Sequence, residues 1–157
     1  MKLLLTGPSG SGKTTISNIL KRAFPADQKV IQIDGDDLRR TLNSDLSFSD
    51  KSIMENMRRV GELSDWLIET GQADHVIATV IAPIEVGRLM LKKRYGFKVI
   101  FIDRPECYDL DLKGLYKSGK QRVYEPVECH DLVIDNSIKN GSTPAWCANQ
   151  ISLRFKI

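Results

Sequence analysis

Leu3-Leu4-Leu5-Thr6-Gly7-Pro8-Ser9-Gly10-Ser11-Gly12-Lys13-Thr14-Thr15 opens the chain, and its reading decides the rest. Three consecutive leucines make the short apolar run of a strand buried on both faces. Gly7 to Thr14 then fit the phosphate-loop pattern of glycine, four residues, glycine, lysine and serine or threonine. Ile16, Ile19 and Leu20 follow at helical spacing. Strand, glycine-rich loop and helix in that order build a cradle for phosphate. Glycines let backbone N–H groups turn inward, and the new helix adds unpaired N–H groups and its positive dipole end. The pattern assigns Gly7, Ser9, Gly10, Ser11, Gly12, Lys13, Thr14 and Thr15 to ATP, with Lys13 on the β- and γ-phosphates and the Thr14 hydroxyl on Mg²⁺. The bland alternative is a glycine-rich turn that fits by accident. The strand and helix on either side argue against it.

The next apolar run ends in Ile33-Asp34-Gly35-Asp36-Asp37-Leu38-Arg39. In an open parallel sheet, ligands lie beyond the carboxyl ends of the strands, beside the point where strand order reverses. Carboxylates there serve a metal or an acceptor, or they simply cap the following helix. Asp37 reads as a cap. Asp36 is expected to accept the proton of an attacking hydroxyl, with Asp34 nearer the metal or Lys13.

Further along, Leu3–Leu5, Val30–Ile33, Val76–Ile81, Val99–Ile102 and Leu132–Ile134 read as buried strands. Ile53, Met57, Val60, Leu63 and Leu67 lie on one face of a helix, with Ser49 as its cap and Gly71 as its stop. A second helix is expected over Ile84 to Tyr95, ended by Gly96, and a last one from Thr143-Pro144. This alternation implies an α/β fold, a parallel five-stranded sheet with helices on both faces. Residues 1–157 read as one domain, with a basic lid over about 109–124 that carries Lys113, Lys117, Lys120 and Arg122.

Composition bounds the partners. The chain has 23 Lys and Arg against 20 Asp and Glu, a net charge of +3 too weak and too mixed for nucleic-acid binding. Its longest apolar stretch, about Val76 to Ile84, is far shorter than a membrane span. Cys107, Cys129 and Cys147 show no metal-ligand spacing and are expected to pack as small apolar residues in a reducing, cytoplasmic compartment. Trp66 and Trp146 are expected in the core, and one of Arg58 and Arg59 in solvent.

Beyond the phosphate loop, Asp34-Gly35-Asp36 with Arg39, Leu46-Ser47-Phe48-Ser49, Glu55-Asn56-Met57-Arg58-Arg59-Val60, Lys113-Gly114-Leu115-Tyr116 and Tyr124-Glu125-Pro126 follow in order. Together these blocks resemble the adenylylsulfate kinases, which phosphorylate the 3′-hydroxyl of adenosine 5′-phosphosulfate. The resemblance covers most of residues 1–135. It implies a P-loop kinase of three α/β/α layers, ATP as co-substrate with Mg²⁺, and a role in sulfate assimilation. It also implies an anionic nucleotide acceptor held by Asp34, Asp36, Arg39, Phe48, Asn56 and Lys113. The chain departs from the family pattern at Ser52-Ile53, at Ala82-Pro83-Ile84-Glu85 (only Arg88 further on fits), at Leu110, and in the short stretch Lys120-Gln121-Arg122-Val123. Two departures remove arginines, which predicts an acceptor bound roughly two to four powers of ten more weakly unless other cations compensate. A different nucleotide acceptor, such as a cytidine diphosphate derivative, is the second reading, and a nucleotide-binding switch the third. The sequence leaves a homodimer open.

Overall fold

The computed structural model describes residues 1–107 and 124–157. The expected lid, with Lys113, Leu110, Lys120 and Arg122, lies outside the described residues. Five strands, β1 (Lys2–Thr6), β2 (Val30–Asp34), β3 (His75–Thr79), β4 (Phe97–Asp103) and β5 (Leu132–Asp135), form one sheet in the order β2-β3-β1-β4-β5. Every pairing is parallel. The connection from β1 passes over β3 to β2 on one side, and β4 then extends the sheet on the other, so the reversal point lies at the carboxyl end of β1.

Helices α1 (Lys13–Leu20), α2 (Gly35–Arg40), α3 (Asp50–Glu69), α4 (Glu85–Tyr95) and α5 (Pro144–Phe155) connect and cover the strands. Their ends follow the local chemistry. The Ser49 hydroxyl accepts from the Ser52 amide to start α3, and Thr143 caps α5 through the Trp146 amide. Gly96 closes α4 in the left-handed conformation at φ 70°.

Alternation along each strand sends side chains to two cores. Leu4, Val76, Ala78 and Val99 pack with Met57 and Val60 of α3 and Leu91 and Tyr95 of α4. Leu3, Leu5, Ile77 and Ile100 pack on the other face with Ile16 and Leu20 of α1 and Cys147 and Ile151 of α5. That gives three layers, α/β/α. Gly61 lets α3 approach α4 closely, because a Cβ there would lie 2.5 Å from the Tyr95 ring.

One expectation fails. Trp66 is 55% exposed and Trp146 47% exposed, so neither belongs to the core. Both sit on the outward side of amphipathic helices, whose inner faces are already filled by smaller residues. Arg58 and Arg59 both pair with Glu55, and Arg59 also grips Asp45; the Arg58 side chain is the more exposed, at 43%, and is the one that faces solvent. Cys107 and Cys147 are buried and Cys129 half-buried, all as free thiols. Among the described residues, no helix is long and apolar enough to cross a membrane.

Candidate active site

The loop between β1 and α1 is braced by the strand ends behind it. Gly7 at φ 149° presses against β4, where an added Cβ would lie 2.5 Å from the Ile102 carbonyl. Gly12 adopts φ 96°, and a Cβ there would lie 2.8 Å from the Asn136 amide nitrogen. That nitrogen donates to the Ser11 carbonyl at 2.8 Å. The first α1 turn closes when the Ile16 amide donates to Gly12 at 2.9 Å. Lys13 is buried, and its Nζ donates to the carbonyls of Gly7 (2.9 Å) and Pro8 (2.7 Å). A cation held by its own loop's carbonyls sits where phosphate oxygens would compete for it.

β2 and β3 deliver the second group. Asp34 ends β2 opposite Thr79, the last residue of β3. The hydroxyls of Thr14 and Thr79 each donate to Asp34 Oδ2 at 2.9 Å, and the Asp36 amide donates to Asp34 Oδ1 at 2.9 Å. Asp34 therefore caps α2 and also holds the Thr14 hydroxyl, whereas Asp37, expected as a cap, lies inside the helix and pairs with Arg40 one turn on. Partial burial pushes its carboxyl up, but hydrogen bonds from Thr14, Thr79 and the Asp36 and Asp37 amides outweigh this and hold it below the ordinary value. A hydroxyl and an ionised carboxylate side by side next to the loop lysine form a hard oxygen pair suited to Mg²⁺, which takes one or two protein carboxylates together with phosphates and water.

A cleft of about 620 Å³ runs from the loop to α3. Ser9, Gly10, Gly12, Lys13, Thr14, Thr15, Asp34, Asp36, Arg39, Phe48 and Asn56 all line it, whereas Gly7 and Ser11 brace the loop from behind. Asp36 sits exposed on the first turn of α2. Arg39 reaches across from α2 to the following loop, donating to the carbonyls of Leu46 (3.0 Å) and Ser47 (2.7 Å), and its guanidinium lies 4.5 Å from the centroid of the Phe48 ring. Phe48 remains 54% exposed beside it. Asn56 is buried on α3, its Oδ1 accepting from the Asn43 amide at 2.7 Å. Lys113 lies outside the described residues.

Of the departures among the described residues, Ile53 and Ala82 line the cleft, together with Met57 and Pro83. Glu85 accepts from Arg88 and from the Cys129 amide (2.8 Å), and Arg88 itself is fully buried and does not line the cleft. Arg40 and Arg104 do line it, and Arg104 also donates to the Gly10 carbonyl at 3.2 Å. Arg104 is among the cations expected to compensate for the lost arginines, together with Lys120 and Arg122, which lie outside the described residues; Thr79 and Asn136 escaped the sequence reading as site residues. A hydroxyl at a strand end beside Asp34 was the available signal for Thr79, whereas the Asn136–Ser11 contact joins residues 125 positions apart.

A phosphate loop at the reversal point of a parallel sheet, with a threonine–aspartate pair and a second polar group across one cleft, defines a P-loop kinase fold. The profile of the family described as adenylylsulphate kinase matches residues 1–131, and this chain belongs to that family. An adenylyl-sulfate kinase of Bacillus licheniformis is 36% identical over 163 residues, covering 94% of this chain and 80% of its own. A probable adenylyl-sulfate kinase of Bacillus subtilis is also 36% identical, over 95% of this chain and 81% of its own. Among solved structures, an APS kinase of Mycobacterium tuberculosis in complex with AMPPNP and APS superposes with a TM-score of 0.81 at 26% identity, covering 99% of this chain and 97% of the other.

Proposed function

We infer that this chain transfers the γ-phosphate of ATP to the 3′-hydroxyl of adenylylsulfate, giving ADP and 3′-phosphoadenylylsulfate. The observation that carries this reading is a single cleft that joins the phosphate loop, the Thr14–Asp34 pair and the Asp36–Arg39–Asn56 group. Family membership names the acceptor, and the cleft supplies a place for it beside the donor.

Phosphoryl transfer asks for positioning and charge neutralisation rather than covalent chemistry by the protein. The acceptor oxygen forms a bond to the γ-phosphorus as the bond to the β-phosphate oxygen breaks. Lys13 exchanges its loop carbonyls for β- and γ-oxygens, and the loop amides hold the remaining phosphate charge. Asp36 orients the acceptor hydroxyl and takes its proton. Arg39 and Asn56 hold the anionic and sugar portions of the acceptor, with Phe48 offering an aromatic face for its base. Thr14, with Asp34 behind it, would hold Mg²⁺, which neutralises charge on the β- and γ-phosphates when bound. Free thiols at Cys107, Cys129 and Cys147 support a reducing compartment such as the cytoplasm.

The reading is tested by incubating the protein with ATP, Mg²⁺ and adenylylsulfate and identifying the products by chromatography and phosphorus NMR. A new 3′-phosphate monoester formed in step with ADP supports it. ADP and inorganic phosphate without a phosphorylated nucleotide refute it.

A further inference from the structure

The turn from β3 into α4 forms one wall of the cleft through Val80, Ile81, Ala82 and Pro83. Three successive carbonyls of that wall are engaged by donors elsewhere in the protein. Ile81 accepts from the Thr6 hydroxyl at 2.7 Å, Ala82 from Arg88 Nη1 at 2.7 Å, and Pro83 from the Glu125 amide at 2.9 Å. None of the three donors lines the cleft. In the middle of this run Ala82 adopts φ 47°, a left-handed conformation that a Cβ disfavours. Such strain persists only where the surroundings over-determine the backbone.

Arg88 supplies that determination. It is 0% exposed, and each of its nitrogens is used. Nε donates to Glu85 at 2.8 Å, Nη1 to Ala82, and Nη2 to the carbonyls of Glu125 (2.9 Å) and Pro126 (2.6 Å). Its guanidinium lies 4.9 Å from the centroid of the Tyr124 ring, and the Tyr124 hydroxyl is 2.5 Å from that of Thr6, the last residue of β1. The Glu85 amide in turn donates to the Glu125 carboxylate at 2.7 Å. One buried cation thus ties the strained wall to the segment at residues 124–126 and, through Tyr124, to the strand that launches the phosphate loop.

We propose that Arg88 is a positioning residue for the acceptor. It fixes Ala82 in its left-handed conformation and engages its carbonyl, between the carbonyls that Thr6 and the Glu125 amide engage, so an anionic acceptor meets wall carbonyls already bonded to protein donors. This rests on the reading of the cleft as the site of an anionic nucleotide acceptor. A purely structural Arg88 would lower stability without separating the two substrates.

Arg88→Lys discriminates these, because one ammonium cannot replace a fork that bonds Glu85, Ala82 and Pro126 together. The acceptor KM is expected to rise about tenfold while the ATP KM stays within about twofold, a change of roughly 1.4 kcal/mol in acceptor binding. Adding Ala82→Gly should recover part of the acceptor KM, since glycine takes φ 47° without a Cβ penalty. If Arg88→Lys does not fold, Glu85→Gln keeps the shape and removes the charge opposite Arg88, with a smaller rise expected in the acceptor KM alone. An unchanged acceptor KM, equal rises in both KM values, or no recovery in the double variant overturns the proposal. Wild-type protein assayed alongside separates the two claims. If it turns over adenylylsulfate and the variants behave alike, only the positioning role falls; if it turns over none, the function reading falls and takes this role with it.

Discussion

Lys13 is buried among the carbonyls of Gly7 and Pro8, so truncating it removes a charge without opening the hydrophobic core. Lys13→Ala is expected to lower kcat/KM by about a hundredfold or more with an unchanged circular dichroism spectrum. Near-normal turnover in the folded variant would remove Lys13 from phosphate neutralisation. Asp36→Asn should slow the chemical step in single-turnover kinetics while leaving ATP affinity nearly intact, because the role proposed for Asp36 is on the acceptor hydroxyl. A selective loss of ATP affinity would place it at the metal instead. Asp34 carries a pH signature. Its folded carboxyl is held below the ordinary value, so the stability it confers is present above about pH 4 and lost as pH falls through the folded value. Melting temperatures of wild type and Asp34→Asn should therefore differ most at neutral pH and converge in acid. A constant gap would mean that Asp34 does not titrate with folding. At this scale the phosphate loop was legible from sequence because its motif is contiguous. The double duty of Asp34 was not, since it depends on Thr79 from a strand 45 positions away.

Helix α3 shows what pattern alone can place. Its apolar spacing and its Ser49 cap were readable, and both are found. Ser49→Ala should cost about 1 kcal/mol, read as a lower midpoint in denaturant unfolding with an unchanged slope. The tight contact of α3 with α4 through Gly61 and Tyr95 could not be read, because it joins two helices across the chain. Gly61→Ala should destabilise by about 1–3 kcal/mol through overpacking, despite the better helix propensity of alanine. A stabilised variant would show that the Tyr95 ring yields freely. Trp66 and Trp146 mark the limit of composition as a guide. Hydrophobicity placed them inside, but the inner faces of their helices are filled by Met57, Val60, Cys147 and Ile151.

For the whole molecule, five strands were countable from their apolar runs, but the order β2-β3-β1-β4-β5 arises from crossovers that no local pattern encodes. That order sets Asp34, Thr79 and the phosphate loop around one cleft, with Arg39, Arg40 and Arg104 on its lining beside the altered wall at Ile53 and Ala82. These three arginines are the groups we propose as partners for an anionic acceptor where the family pattern is broken. The measurement that bears most directly on this account is kcat/KM for adenylylsulfate, with ATP and Mg²⁺, against a panel of other sulfated and phosphorylated nucleotides that includes cytidine diphosphate derivatives. Adenylylsulfate should be the best acceptor of the panel, with a KM on the micromolar scale of a dedicated substrate. A higher kcat/KM for any other nucleotide would contradict the account.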